Sequence, residues 1–135
     1  MASTTKSVYY YALGRRKSST ARVRIMSGKG DIKVNGKTAN DYFCGSKFLL
    51  NKLNTPFLTV DMLGKFDVFA KVNGGGHNSQ IEAISLGVAK ALIVYNPDFK
   101  STLKRADLLG RDPREKERKK FGFKSARKQR QFTKR

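Results

Sequence analysis

The stretch NGGGHNSQIEAISLGVAKALIVYN, residues 73–96, decides the fold. Ile81, Ile84, Val88, Leu92 and Tyr95 recur at intervals of three, four, four and three, which is one apolar stripe of an amphipathic helix. Ser79 followed by Glu82 has the form of a capping box and predicts that the helix begins just after Ser79. The glycines ahead of it, Gly74, Gly75 and Gly76, admit two readings. Bare backbone N–H groups at the positive end of a helix would seat a phosphate, whereas a tight strand-to-helix turn would need glycine only for positive φ. The glycines lack the Lys-Ser/Thr pair of a nucleotide-binding loop and the spacing of a dinucleotide fingerprint.

Before this stretch, FDVFAKV (66–72) places Phe66, Val68, Ala70 and Val72 on one face, as a central strand does. Further upstream, Ala21, Val23 and Ile25 alternate with Arg22 and Arg24, a half-buried strand with cations on its outer face. VYYYAL (8–13) is a second strand candidate, and GRRKSS between the two reads as a turn projecting Arg15, Arg16 and Lys17. Ile32 and Val34 alternate in a short strand closed by Asn35-Gly36. Ser46 to Leu53 reads as a helix stopped by Thr55-Pro56. After the long helix, Asn96-Pro97-Asp98 starts another, with Phe99, Leu103 and Ala106 at helical spacing and Gly110 as its end. The order predicts an α+β fold with helices on one face of a mixed sheet.

Charge defines the remainder. The 135 residues hold 29 Lys plus Arg against 10 Asp plus Glu, a net charge of +19, which calls for a polyanionic partner. Residues 118–135, RKKFGFKSARKQRQFTKR, contain nine Lys or Arg and no acid. Such a segment cannot enter a core. It is either a solvated tail or a segment laid on nucleic acid. Phe121, Phe123 and Phe132, interleaved with the cations, favour the second, because aromatics stack on bases while cations hold phosphates. At about 3.3 Å per residue, eighteen extended residues reach roughly 60 Å. The chain therefore divides into a flexible N-terminus (1–7), a globular α+β RNA-binding domain (8–110) and an extended basic arm (111–135).

Other classes find little support. No window spans a bilayer, no lipidation signal is present and the N-terminus lacks a signal-peptide core, so no membrane partner is expected. The sole cysteine, Cys44, excludes an internal disulfide and indicates a reducing, cytoplasmic compartment. Cys44 and His77 are the only possible Cys/His nucleophilic pair, and the clustered ligands of a zinc site are missing. An enzyme, a cofactor and a small-molecule substrate are not expected.

GRRKSSTARV (14–23), LGKFDV (63–68), the glycines at 74–76 with the helix after them, RDPREKERKKFG (111–122) and ARKQRQFTKR (126–135) resemble the bacterial-type S-nine family, the ninth protein of the small ribosomal subunit. The resemblance runs in register from about residue 10 to residue 135. It implies a four-stranded sheet with helices on one side, like the second domain of ribosomal protein S-five, and a long C-terminal arm. It also implies a place in the small-subunit head beside other head proteins, with the arm running through ribosomal RNA towards the anticodon arm of peptidyl-site transfer RNA. The ribosomal-RNA contacts so implied are Arg15, Arg16, Lys17, Arg22, Arg24, Gly74, Gly75, Gly76, Arg111, Arg114, Arg118, Lys119, Lys120, Lys124, Arg127, Lys128 and Arg130. Lys134 and Arg135 inherit the transfer-RNA contact. The chain departs from the family pattern at Ser79 and Glu82, which replace glycines, and at Ser85-Leu86, which replace an Arg-His pair. The competing reading is a free nucleic-acid-binding protein, such as a DNA-compacting or RNA-chaperone factor.

Overall fold

The computed structural model describes residues 8–132. Strands β1 (Tyr10–Arg16), β2 (Ser19–Ser27), β3 (Ile32–Val34) and β4 (Lys37–Thr38) are followed by helices α1 (Ala39–Tyr42) and α2 (Lys47–Thr59). Strand β5 (Phe66–Asn73) then leads into α3 (His77–Tyr95) and α4 (Phe99–Arg105). The sheet order is β1-β2-β5-β3-β4, mixed because β3 runs parallel to β5 while the other pairs are antiparallel. Four of these strands are those expected. The fifth, β4, is two residues long and arises because Asn35 and Gly36 both take positive φ (51° and 81°), the backbone of a tight hairpin turn.

Period-two alternation sends Ala21, Val23 and Ile25 of β2, and Phe66, Val68, Ala70 and Val72 of β5, to one buried face. Helix α3 covers that face chiefly over β1 and β2, and α2 packs against α3 and reaches the sheet through Phe57, whose ring stacks on Phe66 of β5 at 6.2 Å. The long helix is thus covered by the sheet on one side and by α2 and α4 on others, which explains a departure from the single stripe read in its sequence. Ile81, Ile84, Val88 and Leu92 are buried as expected, but so are Ala83, Leu86, Ala89 and Ala91, while Tyr95 stays partly exposed. Backbone meets backbone where α3 crosses β1: a Cβ on Gly14 would lie 1.8 Å from the Ala83 carbonyl oxygen and 2.7 Å from the Gly87 nitrogen.

Three expected helix boundaries are corrected. Helix α3 begins at His77, two residues before Ser79, with Gly76 as its N-cap. Gly76 has no side chain, so only half of a capping box forms: its N–H donates to Ser79 Oγ at 3.1 Å. Glu82 plays no capping part and points instead to Arg16. Helix α4 ends at Arg105, well before Gly110, because Asp107 takes the left-handed conformation (φ 57°). The N–H groups of Leu108 and Asp107 then donate to the carbonyls of Leu103 (3.1 Å) and Lys104 (3.2 Å), closing the helix as a Schellman motif.

Helix α2 runs through Pro56 rather than stopping before it. Proline at this position deprives the Lys52 carbonyl, four residues earlier, of its N–H partner. The Ser85 hydroxyl of α3 donates to that carbonyl at 3.1 Å and replaces the lost bond. Ser85→Ala is therefore expected to destabilise the domain by about 1 kcal/mol, read in urea denaturation.

Candidate nucleic-acid interface

The strand residues that do not face the core form the open side of the sheet. The register aligns Tyr11 with Arg24, Arg24 with Phe69, and Phe69 with Lys33, a row across four strands. Two residues along, Leu13, Arg22 and Lys71 make a second row. A shallow groove of about 400 Å³ runs between Tyr11, Arg22, Arg24, Lys33, Phe69 and Lys71. It adjoins a hollow of about 600 Å³ that shares Arg22, Gly36 and Lys71 and extends to Ser18, Thr20, Asn73 and Gly74. Asp67 is the one acid among the outward positions of β5, and its carboxylate is taken up at the sheet's end. It accepts from the backbone N–H groups of Lys29, Gly30 and Asp31 (2.9–3.1 Å). Those bonds, that of Asp31 foremost, hold its pKa below the ordinary aspartate value. The residues lining the two hollows consequently include cations and aromatics and no acid.

The glycine turn sits at one end of this surface. Gly74 and Gly75 take φ of +75° and +65°. Side chains there would meet the Ser18 carbonyl (2.5 Å) and Ser19 Oγ (2.0 Å), so both glycines are required by packing on the β1–β2 turn. Ser19 Oγ donates to the Gly74 carbonyl at 2.9 Å and lies 2.8 Å from Ser79 Oγ, while Gln80 Nε2 donates to the same carbonyl at 3.0 Å. Gly76, with φ of −102° and open space around it, has no such requirement. Lys17 borders a hollow of about 450 Å³ with Gly75, Gly76, His77 and Asn78. The ring of His77, the single histidine, packs on Tyr42 and Phe43 at 5.6 and 5.5 Å, and Cys44, the single cysteine, is exposed.

The arm joins the domain at an ion cluster. Arg16 Nε lies 2.6 Å from Glu82 Oε2, its Nη1 donates to the Arg114 carbonyl at 2.6 Å, and its Nη2 lies 3.5 Å from Asp112 Oδ2. Arg114 doubles back on Asp112 through Nε and Nη2. Arg16 is therefore not projected from a turn as expected. It ends β1, its side chain is only 12% exposed, and it fixes the first residues of the arm to α3. Glu82 supplies the anion that makes this possible. Asp112 is held well below the usual carboxylate range, first by the Arg114 side chain and backbone N–H and then by the nearby Arg16 charge. A depressed carboxylate contributes to the folded arrangement at any pH above its unfolded value and loses that contribution as pH falls through the lower folded value. Carboxyl NMR should thus show Asp112 ionised well below the pH at which a free aspartate is half protonated, with the 111–114 backbone undocking only in stronger acid.

Beyond the root, the described part of the arm is not uniformly extended. Phe123 and Gln129 form an antiparallel bridge, and the Lys124 N–H donates to the Lys128 carbonyl at 2.8 Å, turning residues 120–129 into a hook. Glu117 braces it, 2.6 Å from Lys120 Nζ and 2.8 Å from Arg127 Nε, and those two bonds lower the Glu117 pKa. Reach is shortened accordingly. Arg118, Lys119, Lys120, Lys124, Arg127, Lys128 and Arg130 are all exposed, and Phe121 and Phe132 project into solvent.

Of the residues singled out from sequence, Arg22 and Arg24 stand together on the open face, and Lys17 stands beside the glycine turn. Arg15 and Arg111 are exposed near the arm root, and Lys134 and Arg135 lie outside the described residues. The face also contains Tyr11, Lys33, Phe69 and Lys71, which sequence reasoning passed over. The alternation that placed Arg22 and Arg24 outside applies equally to FDVFAKV and DIKV and could have found Phe69, Lys71 and Lys33. Among the described residues no group of His, Cys, Asp and Glu could hold a metal ion, and no helix is long and apolar enough to cross a membrane.

A basic α+β domain with a cationic sheet face and a tethered cationic arm has the build of a protein that lies against a polyanion. The sequence pattern of the family described as ribosomal protein S9/S16 matches residues 14–135, through the last residue of the chain. The small ribosomal subunit protein uS9 of Malacoplasma penetrans (strain HF-2) is 49% identical over 128 residues, 95% of this chain and 98% of that protein. The protein of the same name from Prochlorococcus marinus subsp. pastoris is 47% identical over 126 residues, 93% of each chain. This chain belongs to the ribosomal protein S9/S16 family, whose members are structural components of the small ribosomal subunit.

Proposed function

We propose that the chain binds ribosomal RNA in the head of the small subunit, next to other head proteins, and that its arm reaches the anticodon arm of peptidyl-site transfer RNA in cytoplasmic ribosomes. The observation that carries this reading is the family match across both domain and arm, together with the exposure of the arm's cations from Arg118 to Arg130. Arg22 and Arg24 act from the sheet face, Lys17 and the turn at Gly74, Gly75 and Gly76 from its end, and Arg15, Arg111 and Arg114 near the arm root. Arg118, Lys119, Lys120, Lys124, Arg127, Lys128 and Arg130 neutralise phosphates along the arm's path. Contacts of this kind position the protein on a folded RNA rather than read a base sequence. Arg16 has its donors turned to protein, and its part is to aim the arm. No reaction is assigned to Cys44 or His77.

Lys134 and Arg135 are assigned the transfer-RNA contact. Removing residues 131–135 should leave subunit assembly intact and weaken initiator transfer RNA roughly three- to tenfold, as one or two charge-assisted bonds allow after screening. Filter binding to purified subunits at several salt concentrations measures this. Unchanged binding would return the tip to the role of an RNA-embedded anchor.

A further inference from the structure

We propose that the open face of the sheet is a stacking site for unpaired RNA nucleotides, with Phe69 and Tyr11 receiving base faces and Arg22, Arg24, Lys33 and Lys71 holding the phosphates between them. The inference rests on the ribosomal-RNA reading above and deepens it, naming the kind of RNA that this face takes.

Phe69 and Tyr11 are 37% and 47% exposed on a face that also presents Arg22, Arg24, Lys33 and Lys71. They are not part of an apolar patch that a protein partner would cover, since each register neighbour of Phe69 on the adjacent strands, Arg24 and Lys33, is a cation. Arg24 is also the neighbour of Tyr11. Strand spacing of about 4.8 Å sets the Tyr11–Arg24–Phe69–Lys33 row across roughly 14 Å, and the Leu13–Arg22–Lys71 row lies about 7 Å further along the strands. Aromatics and cations therefore alternate over an area large enough for several nucleotides. Lys33 Nζ rests 5.9 Å from the Phe69 ring centroid, and Arg24 lies 5.0 Å from that of Tyr9. Both cations already lie near ring faces, from which a flexible ammonium or guanidinium can swing to a phosphate as a base arrives.

Duplex RNA does not suit this arrangement. Its bases are stacked on one another, and its deep major groove admits no side chains, whereas an unpaired base offers a face to any exposed ring. An acid among the cations would repel the backbone; none lines the groove, and the outward acid of β5, Asp67, is turned into the amides of residues 29–31.

The chain has no tryptophan, so Phe69→Trp creates a single emission reporter on the exposed side of β5 in the full-length protein. A short oligouridylate at moderate salt should quench that emission saturably, by about twofold or more, through base stacking. A blunt RNA duplex of equal length, and heparin, which has the charge but no bases, should quench it far less. Tyr11→Trp repeats the measurement from β1, and an unchanged thermal midpoint in either variant reports an intact fold. Equal responses to oligouridylate and heparin, or no response to oligouridylate from either position, would overturn the stacking site. If the quenching test fails while the variant still sediments with the small subunit, the stacking inference falls and the ribosomal-RNA reading stands; loss of sedimentation by the unmodified chain would remove that reading itself.

Discussion

Gly14→Val is expected to destabilise the domain by about 3–5 kcal/mol, because the new side chain would collide with backbone rather than with a movable side chain. Gly14 lies inside β1 where α3 crosses it, and even a Cβ there would come within 1.8 Å of the Ala83 carbonyl oxygen. To accommodate it the helix must lift from the strand. That would open gaps around Ile81, Ile84 and Val88, which are now completely or almost completely buried. For a domain of this size the corresponding fall in Tm is roughly 10–20 °C. Gly87→Ala is the informative companion, since its Cβ would meet the Val23 side chain, at 2.6 Å from Cγ2. Valine can shift where a carbonyl cannot, so a smaller loss of about 1–2 kcal/mol follows. A Gly14→Val loss below that of Gly87→Ala, in urea or thermal unfolding, would contradict the close crossing of α3 on β1.

The second large effect concerns salt. Residues 118–135 contain nine Lys or Arg, two of which, Lys120 and Arg127, are engaged by Glu117. If about five meet phosphates, deleting the segment should reduce the slope of log K against log salt by about 3.5–4.5 units. Affinity at low salt would fall steeply, and the difference between the full and shortened chains would shrink as salt rises. The core residues, from Ala12 to Leu103, lie outside the deletion, so circular dichroism should show the domain still folded. An unchanged slope would show that the arm is not the main electrostatic contact.

Most of the domain is legible in its sequence because its signals are local. Alternation at Ala21, Val23 and Ile25, and again from Phe66 to Val72, marks the two strands at the centre of the pairing, and the spacing from Ile81 to Leu92 marks the long helix. The misses have non-local causes. Pro56 looks like a helix stop until Ser85, far along the chain, is seen to satisfy the Lys52 carbonyl. Ser79 looks like an N-cap until its hydroxyl is found shared between Gly76 and Ser19. Asp107 ends α4 by adopting a left-handed backbone that is not marked in the sequence as a glycine would be.

The candidate site shows the same division. Arg22 and Arg24 were accessible from strand period alone, and the cationic arm from charge alone. The ion cluster that ties Arg16 to Glu82 and Asp112 was not, because it joins three separate segments. It also changes the meaning of Glu82. An acid that would otherwise repel RNA at the start of α3 is neutralised by Arg16, with Lys52 Nζ 3.8 Å from its other oxygen, and serves to hold the arm's root.

Sedimentation of the tagged full-length chain from lysate, through sucrose gradients at moderate salt, tests the account most directly. A chain built into ribosomal RNA by both its sheet face and its arm should travel with the small subunit and remain there as salt is raised through the range that strips loosely held basic proteins. A salt-labile spread over bulk RNA or DNA, with none retained on the subunit, would contradict it.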